Sequence, residues 1–251
     1  MRPLYASDLL NIWERSLGNT PVEQALIILD TAFPHVGWET LTKLTITQRD
    51  SALFHLRELS FGSRFNALAI CAACGERLEL VFDANELRAA GLFTSLDFSL
   101  PVEPFPSYHI QGYEIRFRLP TSLDVLKATA LHENEQAHRY LLEACILSVR
   151  RRKRDVPLAD LPPGMAQAII AQIGQAAALA NLTITAQCPA CNHEWEVVFD
   201  IVSYFGREIN AWAMRMMYEI HLLASTYGWR EADILAMSAW RRQRYLELIG
   251  A

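Results

Sequence analysis

Two copies of one short pattern predict the fold class. CAACGERLELVFD occupies residues 71–83, and CPACNHEWEVVFD occupies residues 188–200. Each is a C-x-A-C turn followed by a short run ending in Val-Phe-Asp, and each follows a strand-like stretch. The N-terminus, the segment between the copies and the C-terminus instead carry apolar residues at helical spacing. Together these observations predict an α+β protein. Its centre is a zinc-ribbon-like small antiparallel β core built from two CxxC knuckles, with N-terminal, inserted and C-terminal helices around it. The expected organisation is an N-terminal helical region at 1–62, a split β core at 63–200 with a helical insertion at about 121–180, and a C-terminal helical region at 201–251.

Residues 7–17 and 21–33 read as helices. Thr20 is placed to cap the second, with Pro21 at its first position and Glu23 completing a capping box, and Pro34 ends it. TQRDSALFHLRELS, residues 47–60, predicts a third helix capped by Thr47, with Leu53, Leu56 and Leu59 toward one side and Gly62 as the stop. Residues 65–70 lead as a strand into the first CxxC, and 77–83 lead out. TSLDFSLPVEPFPS, 94–107, has no period and reads as loop, whereas YHIQGYEIRFR, 108–118, alternates as strand or hairpin. Helices follow at about 121–131, 134–149 and 164–179, then strands at 181–187 and 194–199. Asp200 is placed to cap a long amphipathic helix that Gly228 breaks. READILAM and SAWRRQRYLELIG form two short helices, the second capped by Ser238. Such short helices pack back onto the long one or wait for a partner.

A chain of 251 residues, 51% hydrophobic and 20% charged, can bury a sizeable core. Its net charge of −5 exerts no general pull on nucleic acid or an anionic membrane. No apolar run reaches the roughly 18 residues needed to span a bilayer. Asp8 and Glu14 interrupt the apolar N-terminus, which makes it a poor secretory signal. A cytosolic protein is the expectation. The basic run RRRKRD, 150–155, reads as a solvated loop whose cations sit at a helix C-terminus, where the dipole favours them. A nucleic-acid or localisation signal is the alternative.

In a reducing compartment a doubled CxxC points to metal or redox chemistry rather than a structural staple. A CxxC at a tight turn directs both sulfurs to one side and supplies two corners of a tetrahedron. Cys71, Cys74, Cys188 and Cys191 then complete a four-thiolate site for one structural Zn²⁺ per chain. Gly75 and Asn192 follow the second cysteine of each pair, where positive φ is expected. Two separate disulfides, or two half-sites that never meet, are the competing arrangements. A thioredoxin-type role is disfavoured, because such a CxxC opens a helix whereas these join strands. His193 corresponds to Glu76 in the other copy and is left out of the ligand set. Cys145, in LLEACILSV, reads as a small core residue. Four thiolates close the coordination sphere, so the site is structural rather than catalytic.

No phosphate-binding glycine loop, dinucleotide fingerprint or nucleophile elbow occurs. The histidines of HENEQAH, 132–138, lie six apart and do not share a helix face. No acid–base pair is supported by local spacing, and a non-enzyme without a small-molecule substrate is expected. Near the C-terminus, Trp229, Trp240 and Tyr245 alternate with Arg241 and other arginines. These four are candidate partner contacts, because Trp, Tyr and Arg anchor protein interfaces. The competing reading is local core and solvated surface.

The combined pattern resembles a known family. It comprises LLNIWERSLGNTPVEQALIILDTAFP, RDSALFHLRELSFGSRFNALAICAACGERLEL, GYEIRFRLPTSLDVL, CPACNHEWEVVFDI and INAWAMRMMYEIHLLASTYGWREADILAMSAWRRQRYLELI. Together these segments are similar to the baseplate hub assembly chaperones of T-even-type contractile-tailed phages. Relatives of that family occur with phage-tail-like contractile injection systems. The resemblance implies a chaperone or component that binds baseplate hub, spike, tape-measure or other tail proteins. It further implies work in the bacterial cytoplasm at the site of particle assembly, with or without retention in the particle. It implies no catalytic residues. The alternative from another class is a zinc-ribbon nucleic-acid-binding regulatory protein, against which the acidic net charge argues.

Overall fold

The protein is described by a computed structural model over residues 2–89, 105, 107–131, 133–177 and 182–250. It is α+β. Four helices open the chain: α1 (Ala6–Ser16), α2 (Pro21–Ala32), α3 (Trp38–Lys43) and α4 (Ile46–Phe61). The Thr20 box on α2 forms as expected, the Thr20 hydroxyl accepting from the Glu23 amide and the Glu23 carboxylate accepting from the Thr20 amide. On α4 the cap is Thr45 rather than Thr47, with Gln48 closing the box. The Thr47 hydroxyl is instead buried without a partner. Leu59 also departs from expectation, being 50% exposed, while Leu53, Phe54 and Leu56 are buried. Helix α4 is enclosed on several sides, so a one-face pattern does not describe it.

Strands β1 (Arg64–Ile70) and β2 (Arg77–Asp83) form an antiparallel hairpin, followed by the short helix α5 (Ala84–Ala89). The stretch 94–107 lies almost entirely outside the described residues. The insertion then builds a four-stranded antiparallel sheet in the order β3 (Ser107–Ile110), β4 (Tyr113–Phe117), β5 (Ile146–Arg151), β6 (Arg154–Asp155). Helices α6 (Ser122–Thr129) and α7 (Asn134–Cys145) lie between β4 and β5, and α8 (Met165–Ala176) follows a single 3-10 turn. The helix read at 134–149 therefore ends at Cys145. Ile146 onward pairs with β4, Val149 lying opposite Ile115. The basic run is likewise a hairpin rather than a loop, with Arg151 paired to Arg154.

Strands β7 (Thr183–Gln187) and β8 (Glu194–Val198) form a second two-stranded hairpin, separate from the first. Helix α9 (Ile201–Tyr227) spans 27 residues, and α10 (Glu231–Leu235) and α11 (Ala239–Leu248) fold back onto it. No described helix is long and apolar enough to cross a membrane.

The main core draws on distant stretches: Leu26, Ile28 and Leu29 of α2, Leu53, Phe54 and Leu56 of α4, Phe65, Phe82, Phe199, and Phe205 of α9. The insertion has its own small core around Ile115, Phe117, Val149, Met165 and Ile169. Backbone bonds tie it to the first helices, the Ile46 amide donating to the Pro120 carbonyl at 2.9 Å and the Ser122 amide to that of Leu44 at 3.1 Å. A further cluster joins α9 to the C-terminal helices through Met216, Ile220, Leu223, Ile234 and Leu246.

Candidate metal centre

The two CxxC turns have the same backbone. The Cys71 amide donates to the Glu76 carbonyl at 2.8 Å, and the Gly75 amide to that of Cys71 at 2.9 Å. In the second turn the Cys188 amide donates to the His193 carbonyl at 2.9 Å, and the Asn192 amide to that of Cys188 at 2.8 Å. Closing each turn needs a left-handed residue just after the second cysteine. Gly75 has φ 78° and Asn192 has φ 57°, and these residue types take that conformation at the least cost.

The turns meet head to head. Cys71 Sγ lies 3.7 Å from Cys191 Sγ, and Cys74 Sγ lies 3.6 Å from Cys188 Sγ. All four sulfurs fall within 4.8 Å of one another. The first cysteine of each turn is buried and the second exposed, as an approximate two-fold relation requires. A disulfide needs about 2.05 Å between sulfurs. A tetrahedron of thiolates around zinc, with bonds near 2.3 Å, has edges of about 3.8 Å. All five cysteines of the chain are free. The four clustered ones could hold a metal ion, and their spacing fits tetrahedral thiolate coordination.

The local electrostatics are those of thiols gathered in one place. Burial opposes ionisation of Cys71, but the backbone amides of Cys74 and Ala73 and the thiols of Cys74 and Cys191 overcome it and bring Cys71 down to about 7. At Cys74 the Glu76 amide favours the thiolate, yet the thiols of Cys191, Cys188 and Cys71 together with burial outweigh it and push Cys74 up to about 12. Four thiols this close cannot all ionise without a compensating cation. A bound divalent ion would supply that charge and drive the deprotonation.

The shell around the sulfurs is apolar and also follows the repeat. Leu78 and Trp195 occupy matching positions and pack against the buried cysteines, and the His193 ring stacks on Trp195 at 5.7 Å rather than joining the sulfurs. The duplication runs past the knuckles. Phe82 and Phe199 meet edge to face at 4.9 Å. Asp83 accepts from the Asn85 amide at 2.8 Å at the start of α5, and Asp200 accepts from the Val202 amide at 2.9 Å at the start of α9. The repeated unit is therefore strand, knuckle, strand and aspartate-capped helix. Asp200 was legible as a cap from the sequence, and its match to Asp83 in the two Val-Phe-Asp triplets carried the same signal.

One buried cation locks this arrangement, and sequence reading did not single it out. The Arg57 guanidinium donates to both carboxylate oxygens of Glu208 on α9, at 2.9 and 2.7 Å, and to the carbonyls of Gly62 and Arg64 at 2.7 Å each. It also lies 4.0 Å from the centre of the Phe65 ring. A lone arginine in a helix gives no sequence signal for such a role, because its partner stands 151 residues away.

The four C-terminal candidates differ in exposure, and three of them touch, the Arg241 guanidinium lying 5.7 Å from the centre of the Tyr245 ring. Trp229 and Tyr245 are half-buried and pack on each other at 4.8 Å, with Tyr227 stacked on Trp229 at 4.4 Å. Trp240 is 69% exposed and Arg241 is exposed as well. Among the neighbouring arginines, Arg242 is buried and bonds to Glu219 and to the Met237 carbonyl, fixing α11 to α9.

The family described as T4 bacteriophage base plate protein has a model that matches residues 27–206, a span holding both knuckles and the whole insertion. Comparison with curated proteins and with solved structures gives no match.

Proposed function

Since the chain belongs to the T4 bacteriophage base plate protein family, we propose that it is a non-enzymatic assembly factor or component of a contractile-tail base plate. In this reading its work is to bind other tail proteins, namely hub, spike or tape-measure subunits, in a phage or a phage-like injection system. The family match is the observation that carries this reading. The place of work is the bacterial cytoplasm, where particles are built.

The metal we assign to the four cysteines is zinc. The donor set supports it, since four sulfurs at tetrahedral spacing suit a structural zinc and leave no coordination position for substrate or water. The ion would join the halves of a split zinc ribbon that the chain's own topology keeps as separate hairpins. The organisation we propose is a helical region at 1–62, the split core at 63–200 and a helical region at 201–251. Trp240 and Arg241 are the members of the C-terminal set that face outward and are available to a partner. Trp229 and Tyr245 would act by holding that end of the molecule together.

The test is co-purification of the intact chain with hub, spike and tape-measure proteins expressed alongside it. The proposal expects stable capture of at least one of them. Failure of every tail protein to associate, with the chain folded and metal-loaded, would remove the assembly role. The regulator alternative predicts instead binding to duplex DNA with a steep salt dependence.

A further inference from the structure

The insertion carries a concentrated positive charge on a defined scaffold. Residues 150–155 hold five cations and one carboxylate, a local +4 in a chain of net −5, so the rest of the molecule sums to −9. These residues form the β5–β6 hairpin, and all six are exposed. Arg150 is occupied by Asp155 at 2.9 Å. Arg151 is held over the Tyr113 ring at 4.9 Å and donates to its hydroxyl at 3.2 Å. The side chains of Arg152, Lys153 and Arg154 have no polar partner among the described residues.

The turn itself is unusual. Arg152 and Lys153 are its two central residues, and both have positive φ, 50° and 65°. Hairpin turns of this kind favour Asn-Gly, because residues with long side chains take the left-handed region only at a cost. The adjacent turn at the same end of the sheet, between β3 and β4, uses Gln111 and Gly112. The second hairpin thus places two long cations where glycine would be easier. Local strain of this type accompanies functional positions more often than neutral surface.

We infer that the Arg152–Lys153–Arg154 tip is a docking point for a short acidic segment of a partner protein. The inference is independent of the base plate reading and of the metal. Charge favours a carboxylate-bearing peptide over a nucleic acid. A short acidic segment can meet three cations at a tip, whereas a long polyanion would run on past a body carrying −9. Tyr113, the aromatic residue in contact with this hairpin through Arg151, is 5% exposed and offers no platform for base stacking.

The test uses the full chain, a labelled oligoglutamate peptide and random-sequence duplex DNA, read by fluorescence anisotropy at low and physiological salt. Wild type is expected to bind the peptide, and R152E/K153E/R154E to weaken it about tenfold or more. A second variant, R152N/K153G, separates folding from binding. It relieves the turn and is expected to melt at a higher temperature than wild type while still binding the peptide more weakly. Equal peptide binding by wild type and the triple variant would overturn the inference. So would tighter, steeply salt-dependent binding of the DNA, or a lower melting temperature for R152N/K153G.

Discussion

Cys71 Sγ and Cys191 Sγ lie 3.7 Å apart although 120 residues separate them in the chain. Closing a loop of that length costs entropy that grows only slowly with length, but it has to be met by something at the junction. The Phe65, Phe82 and Phe199 cluster meets part of it. An ion gripped from both knuckles would meet more, because it binds the folded arrangement alone.

Metal analysis of the purified chain is therefore expected to give about one zinc per molecule. Cys71→Ser and Cys188→Ser remove the two buried thiols of the cluster and should abolish metal retention and yield little soluble protein. Cys145→Ser is the control. That thiol is buried on α7 and burial pushes it up to about 11, so the variant should keep its metal. A stable, metal-free wild-type protein would refute the assignment.

Arg57 makes the second test. Arg57→Ala strands the Glu208 carboxylate and two carbonyls beside the core, and a loss of about 3–5 kcal/mol is expected in urea unfolding. Arg57→Lys should not restore it, since an ammonium cannot reproduce a two-pronged contact and stack on Phe65 together. A change within 1 kcal/mol for both would show that the lock is not needed.

Acid should weaken the join between β4 and α6. Burial disfavours charge on Asp124, but the Arg118 guanidinium and the Thr121 hydroxyl and amide outweigh it and hold the carboxyl below its ordinary value. Because the folded-state pKa is depressed, the stabilisation is complete above the unfolded value near 3.9 and is lost as pH falls through the lower folded value. Asp124→Asn should flatten this part of the stability–pH curve and lower stability at neutral pH. An unchanged acid limb would contradict the assignment.

At the C-terminus, Trp229→Ala opens a packed aromatic group and should cost about 2–4 kcal/mol. Trp240→Ala, at a site 69% exposed, should stay within about 0.5 kcal/mol of wild type. On the proposed function the same substitution weakens tail-protein capture. Thermal melts paired with co-purification separate the two effects, and full capture by Trp240→Ala would take that residue out of the interface.

Several features were legible because their causes are local. The Thr20–Pro21–Glu23 box, the Asp200 and Ser238 caps and the left-handed Gly75 and Asn192 all arise from groups within a few residues of each other. Elsewhere local signals were ambiguous. Ile146 and Val149 fit a continuing helix as well as a strand, and only pairing with β4 selects the strand. Thr45 and Thr47 are both chemically able to cap α4, and the choice follows from Gln48 reaching back to Thr45.

The sequence by itself determined that this protein contains one unit twice, because the spacing of cysteines, turn residues and Val-Phe-Asp triplets is written in the chain. Whether the two copies meet was settled by tertiary structure. The contacts that bring them together, from Phe82 to Phe199 and from Arg57 to Glu208, join residues more than a hundred positions apart. Contacts of that range leave no periodicity or spacing in the chain to be read, because they depend on how whole elements pack.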